Sequence, residues 1–369
     1  METTDLFLRG CWYMAGWARD FSEGKLVPVT MLGEKIVIFR KSDGSISALA
    51  DRCSHRLAPL SLGRLECDQV RCMYHGLKFD CEGNVAEVPF GGRATPAMKV
   101  RHYAAADKHS AIWLWMGDPS EANTDLIPPF IGIDAPDWAM LPGQMEYKAH
   151  FRLINDNLLD LSHVTLVHMN SFLAGRAPDK SAVDGARPTL AQLPTGVRVE
   201  RVVEGVGPMQ MLRDRYDETL KVDQIQAYDF LVPGIFLMRH TMYPLGTIQR
   251  MRAAQKTADE LRIEPIYDTY TCQAVTPVDA KTTRYFYAFG PWAKAKEDRE
   301  MFGQVGYQAF CEDKVIIEGQ QAVIDASPGH PMRLLAFDAA PVRFNRLLDE
   351  MIAKEAQRKA NREATEKIV

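Results

Sequence analysis

The sequence of 369 residues lacks the features that would tie the protein to a membrane or to nucleic acid. No apolar run approaches the eighteen or so residues that a transmembrane helix needs. The N-terminus has no basic segment followed by an apolar one, so no secretory signal is expected. The formal net charge of −4 gives no electrostatic reason to expect binding to nucleic acid or to an anionic membrane. We therefore predict a cytoplasmic protein with neither partner.

Cysteine is scarce as well. Seven cysteines are an odd number and too few for a disulfide scaffold of this length, and they suit a reducing compartment. Two of them stand close to two histidines in a single short stretch, which indicates a metal site.

That stretch, Asp51–Phe79, contains Cys53 with His55 and, after sixteen further residues, Cys72 with His75. Two Cys–His pairs of unequal spacing indicate two loop tips, each offering one thiolate and one imidazole. This ligand set suits a Rieske [2Fe–2S] cluster, in which two cysteines hold one iron and two histidines hold the other. The alternative is a Cys2His2 zinc site, although zinc sites usually pair Cys with Cys and His with His.

Composition and turn signals divide the chain. Residues 1–118 show short strands separated by tight turns, which predicts a small all-β domain that carries the Cys–His loops. Five prolines between Pro119 and Pro142 predict a linker over 119–142. Residues 143–369 show a helix, several strands and then two long helices, so the fold class is α+β, with an antiparallel sheet wrapped around a helix. A strand is predicted at Met209–Arg215 and a loop at Gly175–Pro188 in this second domain.

A second candidate metal site lies in the predicted helix Phe151–Met169. It contains Asn157, Asp160, His163 and His168 in an otherwise apolar run. Buried imidazoles and carboxylates are costly without a partner. In a straight helix His163 and His168 would point about 140° apart, so the helix must bend or end between them if both bind one metal.

Two histidines and one carboxylate with open positions are the facial triad of non-haem Fe(II) oxygenases. Asp160 is one possible carboxylate. Asp313 is the better one, because it falls on the apolar stripe of a later helix, through Phe302, Val305, Ala309, Ile316 and Gln320, and therefore faces the interior. Glu312 is expected to point about 100° away from it.

Together these motifs resemble those of the Rieske non-haem iron oxygenases over nearly the whole chain. Within that family the chain looks most like the oxygenase components of vanillate and dicamba O-demethylases and of toluenesulfonate methyl-monooxygenase. The resemblance implies a Rieske domain followed by a catalytic domain of helix-grip (Bet v1-like, START-like) fold, assembled as a homotrimer. It also implies that Asp160 bridges the mononuclear iron of His163, His168 and Asp313 to the Rieske cluster of a neighbouring subunit.

The expected activity is that of a terminal monooxygenase component, which uses O2 and electrons from NAD(P)H. No GxGxxG motif follows a predicted strand, so NAD(P)H and flavin are expected on a separate reductase, of flavin or ferredoxin type. Basic side chains near the cluster loops offer a docking surface for an acidic ferredoxin domain or a solvated rim: Arg52, Arg56, Arg64, Arg71 and Lys78.

The resemblance favours O-demethylation of a substituted aromatic acid. Ring hydroxylation, methyl hydroxylation and N-demethylation use the same iron site and stay open. Candidate pocket residues are Leu158, Asn170, Phe172, His240 and Gln273, with Arg239 or Arg176 for an anionic group. The hypothesis from another class is an electron-transfer or zinc-stabilised binding protein without oxygenase activity, which would leave the second motif unexplained.

Overall fold

The computed structural model describes residues 6–173 and 187–366. They form two compact units. The first runs through Pro129 and takes up two later segments, Val275–Arg284 and the chain from Leu348 onward; the second comprises Phe130–Ala274 and Tyr285–Leu347. The division after Pro129 falls inside the predicted linker 119–142, whereas the return of the two later segments had no signal in the sequence. The predicted loop Gly175–Pro188 and Arg176 lie almost wholly outside the described residues.

The first unit is built from short strands, as the sequence predicts. Its strands are β1 (Trp12–Trp17), β2 (Val27–Met31), β3 (Glu34–Arg40), β4 (Ile46–Ala50), β5 (Arg64–Glu66), β6 (Gln69–Arg71), β7 (Lys78–Phe79), β8 (Val85–Glu87), β9 (His102–Tyr103), β10 (Ala105–Lys108) and β11 (Ala111–Trp115). They form three sheets, ordered β1-β11-β10, β2-β3-β4-β9 and β5-β6-β7-β8.

The two cysteines of the Cys–His loops are part of the core of this unit. Cys53 and Cys72 pack in one buried cluster with Val37, Phe39 and Val70. Burying the thiol ends of the loops in apolar packing fixes both loops relative to the sheets, because a close-packed interior tolerates little displacement.

The second unit contains a seven-stranded sheet in the order β12-β18-β17-β16-β15-β14-β13. Its strands are β12 (Leu141–Tyr147), β13 (Thr189–Leu193), β14 (Gly196–Val206), β15 (Val222–Leu231), β16 (Ile235–Pro244), β17 (Tyr267–Pro277) and β18 (Thr283–Pro291). The pairs from β13 through β17 are antiparallel. The predicted α+β class with an antiparallel sheet is confirmed.

The helices are α1 (Phe151–Leu159), α2 (Val164–Val167), α3 (Thr247–Ala254), α4 (Arg299–Ala326) and α5 (Ala339–Glu366). Helix α4 buries Phe302, Gly306, Ala309, Asp313 and Ile317. The predicted stripe is right at Phe302, Ala309 and Asp313, whereas Val305 is only half-buried. Beyond Asp313 the stripe shifts by one residue, since Ile316 is 55% exposed. Within the described ranges, no helix combines the length and the apolar character needed to cross a bilayer.

The strand predicted at Met209–Arg215 is wrong. Residues Gln210–Arg215 form a 3-10 helix. Met209 and Leu212 are both buried, and their spacing of three places them on one side of a helical turn. An alternating polar and apolar pattern this short fits either element.

Gly303 allows α4 to approach β12 closely. A Cβ at this position would lie 2.1 Å from Leu141 Cδ2 and 3.1 Å from Leu141 Cβ, whereas a Cβ at Gly319 on the same helix would meet nothing within 4 Å. Both substitutions by alanine gain about 1 kcal/mol of helix propensity, but overpacking at Gly303 costs about 1–3 kcal/mol.

We therefore expect Gly303→Ala to be less stable than Gly319→Ala by about 1–3 kcal/mol, which is the overpacking term alone. Urea unfolding of the two variants measures the difference. Equal stabilities would show that the helix and the strand are not in this close contact.

Candidate metal centre and active site

Three side chains of the second unit converge on one point. The ligand atoms of His163, His168 and Asp313 lie within 4.8 Å of one another. Nε2 of each histidine is 3.4 Å from Asp313 Oδ1. Ligands that bind one ion at right angles with bonds of about 2.1 Å stand about 3 Å apart, so the three atoms need little movement to hold a metal. Two imidazoles and one carboxylate fit Fe(II) with open positions.

A break in the helix brings His163 and His168 together. Asp160 ends α1, and its carboxylate accepts hydrogen bonds from Ser162 N and Oγ, both at 2.9 Å, which starts a 3-10 turn over Leu161–His163. The chain then makes the single turn α2 and leaves the helix at His168. The helix ends between the two histidines, as predicted, because α2 stops at Val167. The additional break at Asp160, before His163, was not predicted and arises because Asp160 competes for the backbone as a cap.

The other ring nitrogen of each histidine is held by the protein. His163 Nδ1 donates to the backbone carbonyl of Asp160 at 2.6 Å. His168 Nδ1 donates to Glu312 Oε2 at 3.0 Å, and Ser171 Oγ donates to the same oxygen at 2.6 Å. These bonds assign the proton of each neutral ring to Nδ1 and leave Nε2 free to bind a metal.

Glu312 is the functional residue that sequence reasoning missed. The helical angle of about 100° was interpreted as pointing Glu312 away from the site. The angle is right, but the direction leads to His168 and not to solvent. Its position next to a buried ligand carboxylate was the available signal.

Asn157 also reaches the metal ligands, as the sequence suggested. Its Nδ2 donates to Asp313 Oδ1 at 3.2 Å and lies 3.5 Å from His163 Nε2. Burial disfavours the charged form of His163, but the hydrogen bond to Asp313 and the negative charges of Asp313 and Asp160 outweigh it and raise the pKa of His163. The anionic surroundings therefore favour a cation at this point.

The triad forms part of the wall of a cavity of about 340 Å³. The wall is mostly apolar and is completed by one face of the sheet. Leu158, Phe172, His240 and Gln273 line it, as predicted. Cavities of this size suit small ligands.

The other three residues proposed for the pocket are not found among the described residues of its lining. Asn170 is exposed, and its backbone carbonyl accepts a hydrogen bond from Gln308 Nε2 at 3.2 Å. Arg239 lies outside the cavity and pairs with Asp268 through its Nε at 2.8 Å. Arg176 is outside the described residues.

His240 is held neutral. Burial, followed by the positive charge of Arg201, lowers the pKa of His240 to about 4. Gln224 Nε2 donates to the carbonyl of Gly207 at 2.8 Å, which turns Gln224 Oε1 toward His240 Nε2 at 2.9 Å. His240 Nε2 therefore carries the proton, and Nδ1 is left as an acceptor.

In the first unit, the two Cys–His loops have the same backbone closure. Cys53 N donates to the carbonyl five residues on, and the amide four residues on donates back to the Cys53 carbonyl; Cys72 repeats both bonds, with all four distances between 2.8 and 2.9 Å. The residue four positions after each cysteine has a positive φ, 58° at Leu57 and 81° at Gly76. The unequal spacings of His55 and His75 therefore sit within one common loop geometry.

Burial separates the two kinds of candidate ligand. Cys53 and Cys72 are 2% exposed, and burial followed by the neighbouring Cys72 thiol raises the pKa of Cys53. His55 and His75 are exposed, with ring centroids 4.6 Å apart. A cluster bound here would have its cysteine side in the core and its histidine side at the surface.

The basic rim predicted around these loops is largely neutralised. Arg64, Arg71 and Lys78 pair with Glu66, and Arg71 and Lys78 also pair with Glu87. Glu66 ends β5, between the two loops in sequence, and Glu87 ends β8, after the second loop; both reach basic side chains of the β5-β6-β7-β8 sheet. A docking surface built on net positive charge is therefore weaker than the sequence suggested.

Comparison with known proteins decides between the metal-site hypotheses. Residues 147–354 match the family profile "Vanillate O-demethylase oxygenase C-terminal domain", and residues 11–103 match "Rieske [2Fe-2S] domain". The chain is a Rieske non-haem iron oxygenase. It is an oxidoreductase of class EC 1.14 that contains a Rieske [2Fe–2S] cluster and a mononuclear iron held by His163, His168 and Asp313. The zinc-site and electron-carrier alternatives are thereby excluded.

Individual relatives match this chain over most of its length. The chain is 30% identical to the iron-sulfur subunit of the toluene-4-sulfonate monooxygenase system of Comamonas testosteroni, over 95% of this chain and 98% of the relative. It is 30% identical to a vanillate O-demethylase oxygenase subunit of a Pseudomonas species, over 87% and 95%. The crystal structure of dicamba monooxygenase bound to 3,6-dichlorosalicylic acid superposes with a TM-score of 0.81 at 27% identity, covering 95% of this chain and 99% of that one.

Glu312 should control how tightly the oxygenase holds its mononuclear iron. Glu312→Ala removes the acceptor for His168 Nδ1, and we expect about 10- to 100-fold weaker iron binding, the usual effect of losing such a partner. Equilibrium binding of Fe(II) to protein freed of mononuclear iron, with the cluster monitored separately, measures this. Glu318→Ala is the control, because Glu318 lies on the same helix but accepts a hydrogen bond from Lys148 N and not from an iron ligand. Equal iron affinity in the two variants would contradict the role of Glu312.

Proposed function

We propose that the oxygenase is the terminal component of a multicomponent monooxygenase that O-demethylates a substituted aromatic acid. The observation that supports this most is that the iron triad opens into a mostly apolar cavity of about 340 Å³, within the size range of small-molecule sites. The names of the relatives support this class of substrate, because vanillate and dicamba are both methoxy-substituted aromatic acids.

Bound iron supplies the activation of O2. In the net reaction, one methoxy C–H bond is replaced by a C–O bond, and the second oxygen atom leaves as water with two electrons and two protons. The resulting hemiacetal releases formaldehyde and a phenol. The protein holds the ring in the apolar cavity. Asn157 lines this cavity and donates a hydrogen bond to the iron ligand Asp313. The surrounding apolar residues Leu158, Phe172 and Phe236 exclude water.

We further propose that Cys53, His55, Cys72 and His75 hold the cluster, with the histidines at the exposed end. Exposed apolar side chains lie close to those histidines in the sequence: Leu57, Leu62, Met73 and Tyr74 are 69%, 75%, 54% and 61% exposed. Exposed apolar groups of this kind mark interaction surfaces. A neighbouring subunit of a homotrimer would cover them, and a separate reductase would supply electrons from NAD(P)H.

Asp160 is the proposed bridge to the neighbouring cluster. It is partly buried, its carbonyl already accepts from the iron ligand His163, and its carboxylate stands at the end of α1. A neighbour's imidazole that donates to this carboxylate would complete a short hydrogen-bonded connection between the two metal sites.

Methyl hydroxylation is the second candidate. It is favoured by the 30% identity to the iron-sulfur subunit of a toluene-4-sulfonate monooxygenase system, over 95% of the chain.

A single-turnover experiment tests the reaction without the reductase. Dithionite-reduced protein, freed of excess reductant, is mixed with O2 and 3-methoxybenzoate, 4-methoxybenzoate or 4-hydroxy-3-methoxybenzoate. We expect formaldehyde and the matching phenol in equal amounts, up to one per mononuclear site. In parallel, 4-methylbenzenesulfonate tests for its benzylic alcohol. Formation of that alcohol without formaldehyde from any methoxybenzoate would replace demethylation with methyl hydroxylation.

The bridging role of Asp160 predicts a specific defect. Asp160→Asn keeps an oxygen to cap the turn at Ser162 but loses the charge that holds a donating imidazole. We expect Asp160→Asn to contain as much iron and labile sulfide as the wild-type protein and to show no turnover of the substrate. Asp156→Asn is the matched control: that carboxyl lies one helical turn earlier and bonds Asn345 Nδ2. Turnover in Asp160→Asn at the rate of the control would refute the bridge.

A further inference from the structure

One charged side chain in the cavity wall has no hydrogen-bond or ion-pair partner among the described residues. Arg201 lies on β14, and its Nε is buried without a hydrogen bond to any described residue. Nearby arginines of the same unit are paired: Arg198 of the same strand with Asp229, and Arg239 with Asp268. The guanidinium of Arg201 therefore carries an uncompensated positive charge in the wall of a ligand cavity, where desolvation makes such a charge costly, and this favours an anionic ligand beside it.

The sheet register places Arg201 at one end of a polar row. Arg201 is directly opposite Gln226 of β15, Gln226 is opposite His240 of β16, and His240 is opposite Thr269 of β17. Residues paired in this way project from the same face of a sheet. All four line the cavity that contains the iron triad.

The charge balance of the cavity favours an anion. Among the described residues that line it, Arg201 is the one permanent cation and Asp313 the one carboxylate. Asp313 is engaged as an iron ligand between His163 and His168, so it does not neutralise Arg201. His240 is neutral at physiological pH and contributes no second charge.

We propose that Arg201 binds the carboxylate or sulfonate group of a single-ring aromatic anion and thereby sets the substrate class and its orientation. The inference rests on the proposed function, because it takes the cavity as the substrate site. The planar guanidinium fork matches a carboxylate or sulfonate edge. Arg201 takes over the role that the sequence had suggested for Arg239, whose charge is already used by Asp268.

Binding measured by calorimetry on the anaerobic, fully metallated protein tests this without any turnover. The probes are 4-methoxybenzoate, 4-methylbenzenesulfonate and the neutral isostere 4-methoxybenzamide. For Arg201→Gln we expect about 10- to 100-fold weaker binding of the anions and little change for the amide, since hydrogen bonds to charged groups contribute about that much. Arg201→Lys should be intermediate, because it keeps the charge but loses the fork.

Arg198→Gln is the matched control. It removes a surface arginine three residues earlier on the same strand, on the opposite face, and should bind all probes like the wild type. Anion binding unchanged in Arg201→Gln would overturn the proposal. So would a wild-type protein that binds the amide as tightly as the benzoate, or that binds neither anion. This last comparison needs no variant, so it decides the matter even if Arg201→Gln does not fold.

The outcome is separable from that of the proposed reaction. Arg201-dependent anion binding without formaldehyde would keep the anion site and remove demethylation. Formaldehyde release together with Arg201-independent binding would keep demethylation and remove the anion site.

Discussion

The catalytic unit depends on a buried carboxylate between two imidazoles. Asp313 is 4% exposed, and its Oδ1 lies 3.4 Å from Nε2 of both His163 and His168. A charged carboxylate at such a place needs a cation, because desolvation without compensation costs several kcal/mol. Iron supplies that charge, and the surrounding structure keeps the three ligands in position to bind it.

Several separate features maintain this arrangement. The cap at Asp160 starts the turn that carries His163, and the end of α2 at Val167 lets His168 point to the same place. Glu312 and the Asp160 carbonyl fix the ring tautomers from behind. The opposite wall is the face of a seven-stranded sheet, which is rigid enough to present a cavity beside the metal. In the first unit, packing in the core holds Cys53 and Cys72, whereas His55 and His75 are exposed at the surface. The candidate cluster ligands are therefore fixed on the cysteine side and accessible on the histidine side.

Much of this was predictable because metal chemistry restricts residue types and spacing. The mixed Cys–His pairs indicated a Rieske cluster, and two histidines near an aspartate indicated an iron triad, with Asp313 found from the helical period. Short-range patterns gave most strands but failed at Gln210–Arg215, where spacing of two and of three cannot be distinguished over so few residues. The additional break at Asp160 was not predicted, because capping depends on a local competition for backbone hydrogen bonds that the period alone does not reveal.

What the sequence could not supply was pairing between distant residues. Glu312 reaches His168 across 144 positions. The pairing of Arg239 with Asp268, which leaves Arg201 as the unpaired cation, depends on strand register. The ion pairs of Glu66 and Glu87 were not predicted either, so the cluster loops were expected to have a more basic surface than the structure shows.

Each chain carries two different iron sites. The decisive measurement is the content of iron, zinc and acid-labile sulfide in anaerobically purified protein, compared with that of Asp313→Ala. We expect three irons, two sulfides and no stoichiometric zinc per chain, with Asp313→Ala losing one iron while keeping both sulfides and the EPR signal of the reduced cluster. Zinc in place of iron, absence of labile sulfide, or loss of the cluster signal in Asp313→Ala would contradict it.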